Sequence, residues 1–197
     1  KRLFPDLDGE VLPPVVAAPR PTLKDRMRRS RLYLPGNNPD LMLNAGLFDP
    51  DGIILDLEDS VAPSEKDAAR VLVRNALRAI DFGDAERMVR INPAPTGLND
   101  LPVVVPHGTQ MILIPKVEKG GDVTEVANAI SQIAVRHDLT DPIWLMPILE
   151  SARGVWKAYE IGSSCEQVAA LAFGAEDFTR DIQAERTVDG RESFVAR

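Results

Sequence analysis

Three carboxylates fall within four residues at the end of an apolar run: Ile53, Ile54 and Leu55 lead straight into Asp56, Leu57, Glu58 and Asp59. Like charges this close repel, so the folded chain must give them a cation, a basic partner or water. A solvated acidic loop is one reading of the run, and a charged site is the other. Similar runs end in similar residues. Arg90 follows "RMV", Lys116 follows "ILIP", Glu150 follows "LMPIL", and Asp177 closes "LAFGAED". Hard divalent cations such as Mg2+ take oxygen ligands, commonly one or two carboxylates completed by waters and substrate oxygens. Glu150 and Asp177 are the natural pair for that role, each expected to close an apolar strand where a helix begins. Acids at helix N-termini also satisfy backbone donors and the helix dipole, so their position alone leaves both readings open.

Arg90 lies inside a strand-like run, where a long cation is costly to bury unless it meets an anion. That anion is either a substrate carboxylate held in a two-pronged grip or the Asp56–Asp59 acids themselves, and both can hold together. Lys116 is either a Schiff-base nucleophile or, the preferred reading, half of a salt bridge at the rim. Asn92 and the "NPAPTG" turn (92–97) are read as shaping a loop. Other chemistries are excluded for lack of residues. Two histidines, His107 and His137, and the single Cys165 cannot build a multi-His metal centre, a His-based triad or a Cys-rich zinc site within these 197 residues. Cys165 is expected as a small buried residue. The formal net charge of -7 argues against nucleic acid and anionic membrane, both of which call for clustered Lys and Arg. The one basic cluster, Lys24 to Arg31, is short. No apolar stretch approaches the ~20 residues that span a bilayer, and the low cysteine use fits a reducing compartment, so a soluble cytoplasmic protein is expected.

Such residues need elements to position them. Six short apolar runs recur: 31–36, 52–59, 87–93, 111–118, 143–150 and 168–177. Their continuous hydrophobicity is that of strands buried on both faces of a parallel sheet. Between them lie helical patterns at 64–80, with Ser64 as N-cap and Val71, Leu72, Ala76, Leu77 and Ile80 on one face, at 122–138, and at 154–162. Alternation of strand and helix leaves a doubly wound sheet or a TIM (β/α)8-type barrel. Charged residues at four or more strand ends favour the barrel, which gathers all such ends on one face, and no glycine-rich phosphate loop follows the first strand. Six βα units are visible where a closed barrel has eight, so the barrel is expected to be incomplete here, with two units beyond Arg197. Residues 1–26, with Pro5, Pro13, Pro14, Pro19 and Pro21, read as a linker or a tail lying on something else, and 27–197 as the barrel domain. The first residue, Lys1, suggests a processed or partial chain.

These residues in this order resemble the HpcH/HpaI aldolase and citrate lyase superfamily, and within it the citrate lyase β subunits. The likeness runs through "LYLPGNNP" (32–39), "ILDLEDSVAPSEKDAARVLV" (54–73), "VRIN" (89–92), "IPK" (114–116), "ILESARG" (148–154) and "AFGAEDFTRDIQAERTVDGRESFVAR" (172–197). It implies a Mg2+-dependent carbon–carbon lyase cleaving a citryl thioester, on an acyl-carrier protein or CoA, to oxaloacetate and the acetyl thioester. The family's metal carboxylates fall on Glu150 and Asp177, and its substrate-carboxylate arginine on Arg90, with Glu150 also facing substrate. Asp56, Glu58, Asp59 and Lys116 would surround that site, holding metal-bound waters and Arg90. The aspartate that such enzymes use for proton transfer has no counterpart here and is expected beyond Arg197. A homo-oligomer or lyase complex is the implied assembly. Alternatives are a malyl-CoA or related acyl-CoA lyase or thioesterase, and a metal-binding remnant without turnover.

Overall fold

The computed structural model describes residues 12–196. Six strands form one parallel sheet: β1 (Arg31–Pro35), β2 (Gly52–Asp56), β3 (Glu86–Arg90), β4 (Met111–Ile114), β5 (Trp144–Leu149) and β6 (Ala172–Phe173). Each pairs with the next in sequence, in the order β1-β2-β3-β4-β5-β6. A doubly wound sheet reverses its strand order at a switch point. This one never does, and it curls into a half-barrel of six βα units.

The strands are buried on both faces, and the two faces feed different cores. Ile53, Leu55, Val89, Ile112 and Leu145 join the outer cluster under the helices, whereas Ile54, Met88, Met111, Leu113, Met146 and Ile148 form a second cluster on the inner face. Alternate residues separate because successive strand side chains point to opposite faces. The same alternation puts Asp56 and Arg90, the last residues of β2 and β3, and Glu150, the first after β5, on the inner side.

Seven α-helices occur among the described residues: α1 (Pro39–Leu43), α2 (Lys66–Ala79), α3 (Leu101–Val104), α4 (Gly120–Arg136), α5 (Ala152–Trp156), α6 (Ala158–Gly162) and α7 (Ala175–Asp181). Several differ from the sequence expectation. Ser64 is not an N-cap: it sits inside a 3-10 turn, Pro63–Glu65, because Pro63 begins a tight turn before the α-helix starts. The buried face of α2 is Ala69, Val73, Ala76 and Leu77, while Val71 and Leu72 are only half-buried. α4 begins at Gly120, where the Asp122 carboxylate accepts the Glu118 and Lys119 N–H groups. The 154–162 pattern is split into α5 and α6. The run 168–177 gives only two strand residues plus a bridge from Val168 to Leu145, and its end is already helix. Glycine at 174 and the small alanines before it give a strand little to pack.

Residues 12–30 run along the N-terminal ends of the strands, and residues 1–11 of the proline-rich segment lie outside the described residues. Arg78 Nε donates to Pro13 O (2.8 Å), Arg87 Nη2 to Ala17 O (2.8 Å), and Trp144 Nε1 to Thr22 O (2.8 Å). The basic cluster is consumed here. Arg28 Nε and Nη2 grip Glu86 at 2.6 and 2.8 Å, with both side chains almost wholly buried. Arg28→Ala is expected to destabilise the protein by about 3 kcal/mol, since it strands a buried carboxylate. Urea unfolding at neutral pH reads this, and a loss below 1 kcal/mol would show that Glu86 finds water. Among the described residues no helix is long and apolar enough to cross a membrane.

Candidate active site

At the C-terminal ends of β2 and β3, Asp56 and Arg90 face each other. Arg90 Nε donates to Asp56 Oδ1 and Nη2 to Oδ2, both at 2.6 Å, a two-pronged pair. Asp56 also accepts the Glu58 N–H (2.9 Å) and the Ser60 hydroxyl (2.5 Å). Burial pushes the Asp56 carboxyl up, but the Arg90 guanidinium and the Ser60 hydroxyl outweigh it and hold the group below the usual carboxylate range. Burial opposes the charge on Arg90, and Asp56 and Glu58 more than restore it. The guanidinium also lies over the Tyr33 ring, 5.3 Å from its centroid. Close backbone approach makes this corner: a Cβ on Gly36 would stand 2.5 Å from Asp56 O.

Glu58 is 3% exposed and lies between two cations. Its Oε1 accepts Lys116 Nζ at 2.7 Å. Arg90 Nη1 stands 2.9 Å from Oε2 but off the direction a hydrogen bond needs, so that buried oxygen accepts none. Burial raises the Glu58 carboxyl despite both cations. Asp59, by contrast, is exposed, 3.7 Å from both Arg90 Nη1 and Lys116 Nζ. Lys116 adopts a left-handed backbone, φ 54°. Continued alternation from β4 would turn its side chain outward, and the left-handed turn instead lets the ammonium meet Glu58. That hydrogen bond raises its pKa, the opposite of what a neutral Schiff-base amine needs.

The main-chain N–H of Lys116 donates to Glu150 Oε1 at 2.6 Å, linking the two halves of the mouth. Glu150 is 7% exposed. Its pKa is pushed up to about 7, first by burial and then by the charges of Glu58 and Asp177, which the Lys116 N–H only partly offsets. Asp177 does not close a strand. It is the third residue of α7, half-buried, with its carboxylate 3.0 Å from Arg180 Nη1. Glu150, Asp177, Ser151 and Lys116 line one cavity of about 380 Å³.

Asp56, Glu58, Arg90 and Lys116 therefore form one charged cluster, joined through the Lys116 N–H to Glu150, which shares its cavity with Asp177; Asp59 stands at the edge, and Asn92 is tied to Asp100 instead. Among the described residues no three His, Cys, Asp or Glu side chains gather as a complete ligand set. A pair of carboxylates suits Mg2+, which keeps several waters, and a glutamate whose charge is opposed first by burial and then by two acidic neighbours gains from a cation beside it. Gly174 leaves room for that carboxylate: a Cβ there would come within 2.7 Å of Glu150 Cβ and Oε2. Gly174→Ala is therefore expected to displace Glu150 and weaken Mg2+ binding by roughly tenfold or more, read by calorimetric titration. Unchanged affinity would remove Glu150 from the ligand set.

Sequence reasoning passed over Tyr33, Ser60 and Lys66. Tyr33 was legible from alternation in β1, since Arg31 two residues earlier reaches the inner Met146. Ser60 is a short-range partner of Asp56, the kind of turn in which an Asp side chain caps backbone two to four residues on. Lys66 carried no such mark, because nothing in its spacing shows that it reaches back over the loop.

Parallel βα units in sequential order, with acids and two cations at the C-terminal mouth, define a barrel-type α/β protein carrying its chemistry where such barrels carry it. The chain belongs to the HpcH/HpaI aldolase/citrate lyase family, whose sequence profile matches residues 29–197. It is 38% identical over 178 residues to citrate lyase subunit beta of Leuconostoc mesenteroides subsp. cremoris, which covers 88% of this chain and 58% of that protein. It is 33% identical over 156 residues to a (3S)-malyl-CoA thioesterase of Cereibacter sphaeroides, covering 78% of this chain and 51% of the relative. Among solved structures, the citrate lyase beta subunit of M. tuberculosis complexed with oxaloacetate and magnesium superposes with a TM-score of 0.63 at 29% identity, over 83% of this chain and 67% of the other. The chain thus spans 51–58% of the length of these two curated relatives.

Proposed function

We propose that this chain carries the metal-binding mouth of a Mg2+-dependent carbon–carbon lyase that cleaves a citryl thioester, on CoA or an acyl-carrier protein, to oxaloacetate and the acetyl thioester. The observation that carries the reading is Glu150: a carboxylate only 7% exposed, taking the Lys116 N–H at 2.6 Å and sharing its cavity at the barrel mouth with Asp177. Glu150 and Asp177 would hold the ion. Bound there, Mg2+ supplies Lewis-acid stabilisation of negative charge developing on a substrate oxygen.

The other residues prepare the site. Asp56 and Ser60 fix the Arg90 guanidinium, whose N–H groups not facing Asp56 and Glu58 remain to orient a substrate carboxylate. Lys116, 47% exposed, presents positive charge at the rim while its N–H fixes Glu150. Cleavage needs the substrate hydroxyl proton removed, the C–C electron pair passed to the acetyl thioester carbon, and a proton returned to that carbon. The similarity to a citrate lyase beta subunit supports the citryl substrate. Similarity to a malyl-CoA thioesterase supports a second reading, the same mouth acting on a malyl thioester.

The full-length protein, assayed with citryl-CoA and malyl-CoA with and without Mg2+, separates them. Mg2+-dependent release of oxaloacetate from citryl-CoA in preference to malyl-CoA turnover is expected. Malyl-CoA preference would establish the second reading, and metal binding without turnover of either would leave a binding protein.

A further inference from the structure

Lys66, at the first position of α2, reaches back over the loop that follows β2. Its ammonium donates to Leu57 O at 2.6 Å and also to Glu58 O. Leu57 is fully buried and Glu58 almost so, and strand pairing has ended at Asp56. The rest of this loop is pinned as well: Gly36 N–H donates to Asp56 O (2.7 Å), Leu57 N–H to Arg90 O (2.9 Å), and Glu58 N–H to the Asp56 carboxylate. The two successive carbonyls of Leu57 and Glu58 turn to Lys66, with Val61 N–H sharing the second. The Glu58 side chain is held between two cations, its Oε1 accepting Lys116 Nζ at 2.7 Å and its Oε2 2.9 Å from Arg90 Nη1.

We propose that Lys66 is a positioning residue: by clamping the Leu57 and Glu58 carbonyls it holds the Glu58 carboxylate between Arg90 and Lys116, and through Lys116 it sets the N–H that Glu150 accepts. The chemistry favours a lysine at this place. An ammonium with three rotatable donors can serve two successive carbonyls that point in different directions; burial works against its charge and lowers its pKa, and Asp56, Glu58, Asp100 and Asp59 only partly restore it. Lys66 does not line the cavity shared by Glu150 and Asp177, and Glu58 is the charged side chain on the segment it clamps, so its effect is expected to pass through Glu58.

The test uses Lys66→Met and Lys66→Arg in the full-length protein, each alone and with Glu58→Gln. The turnover arm rests on the lyase reading proposed above. There, Lys66→Met is expected to lower kcat roughly tenfold or more with KM within about twofold, and Lys66→Arg to recover most of it. Once Glu58 is already Gln, Lys66→Met should lower kcat little further. A second arm needs no substrate. Crystal structures of Lys66→Met should show Glu58 Oε1 released from Lys116 Nζ, and the stability effects of Lys66→Met and Glu58→Gln should be non-additive in urea unfolding. Additive effects together with a Glu58 carboxylate unmoved in Lys66→Met overturn the proposal. Absent turnover in the wild-type protein strikes the lyase reading alone, because the second arm still decides the role of Lys66.

Discussion

Glu150→Gln is expected to abolish Mg2+-dependent thioester cleavage and, in the absence of metal, to make the protein more stable at pH 8. Both outcomes follow from one carboxylate. Its pKa is about 7 in the folded chain against 4.5 for an ordinary glutamate, because it is buried beside Glu58 and Asp177. Below pH 4.5 it is protonated in folded and unfolded chains alike, and stability is complete. As pH rises from 4.5 towards about 7, the unfolded chain releases the proton first, so metal-free stability falls across that window and stays low above it. The deficit is roughly 3.5 kcal/mol at most, from about 1.4 kcal/mol per pKa unit across the gap between 4.5 and about 7. Glutamine removes it. Thermal unfolding without metal should therefore show the wild-type Tm falling between pH 5 and 8, a flatter profile for Glu150→Gln, and a wild-type rise on adding Mg2+ that the variant lacks. Asp177→Asn should share the loss of cleavage and of Mg2+ response without the stability gain, since Asp177 is more open to solvent. A Glu150→Gln variant that still turns over with Mg2+, or still gains stability from it, would remove the metal from this mouth.

The parts of this site that the sequence shows and hides differ for physical reasons. Continuous apolar runs show the strands because burial on both faces leaves no alternation to confuse. The chemistry-bearing residues stand out because Asp56, Arg90, Lys116 and Glu150 interrupt or end those runs. Helix boundaries are less visible: Pro63 draws Ser64 into a 3-10 turn, and α4 starts two residues early because Asp122 can cap from inside the helix. Asp177 was misplaced for a similar reason, as "AALAFGAED" is apolar enough to read as strand while its small residues let the chain pass into helix after Phe173. Arg90 illustrates a different limit. Sequence pattern shows that a buried cation needs an anion, but not which one; the structure gives it Asp56 and Glu58 within the chain.

That arrangement makes Arg90→Met the most damaging substitution expected for folding. It would leave Asp56 and Glu58, 2% and 3% exposed, as buried acids with only Lys116 and Lys66 nearby. Removing one partner of a buried ion pair costs about 3–5 kcal/mol, because the remaining charge loses its compensation without regaining water. The pH dependence separates this from a packing defect. In the wild-type protein the Asp56 pKa is lowered, so its contribution is present above about 3.8 and is lost only as pH falls through the lowered folded value. Without Arg90, burial is opposed only by the Ser60 hydroxyl and the Glu58 N–H, so the Asp56 carboxyl rises from its wild-type position and the variant escapes part of its penalty by binding a proton. The stability gap between wild type and Arg90→Met should be widest near pH 7 and should narrow as pH falls to 4.5, measured by urea unfolding at both. Arg90→Lys should recover part of the stability but not the cleavage, since one ammonium cannot reproduce the two parallel hydrogen bonds to Asp56 and still face Glu58 and the mouth. A gap that is small, or equal at the two pH values, would mean that Arg90 is held by packing against Tyr33 rather than by the acids, and the charge pairing at the centre of this site would then have to be reassigned.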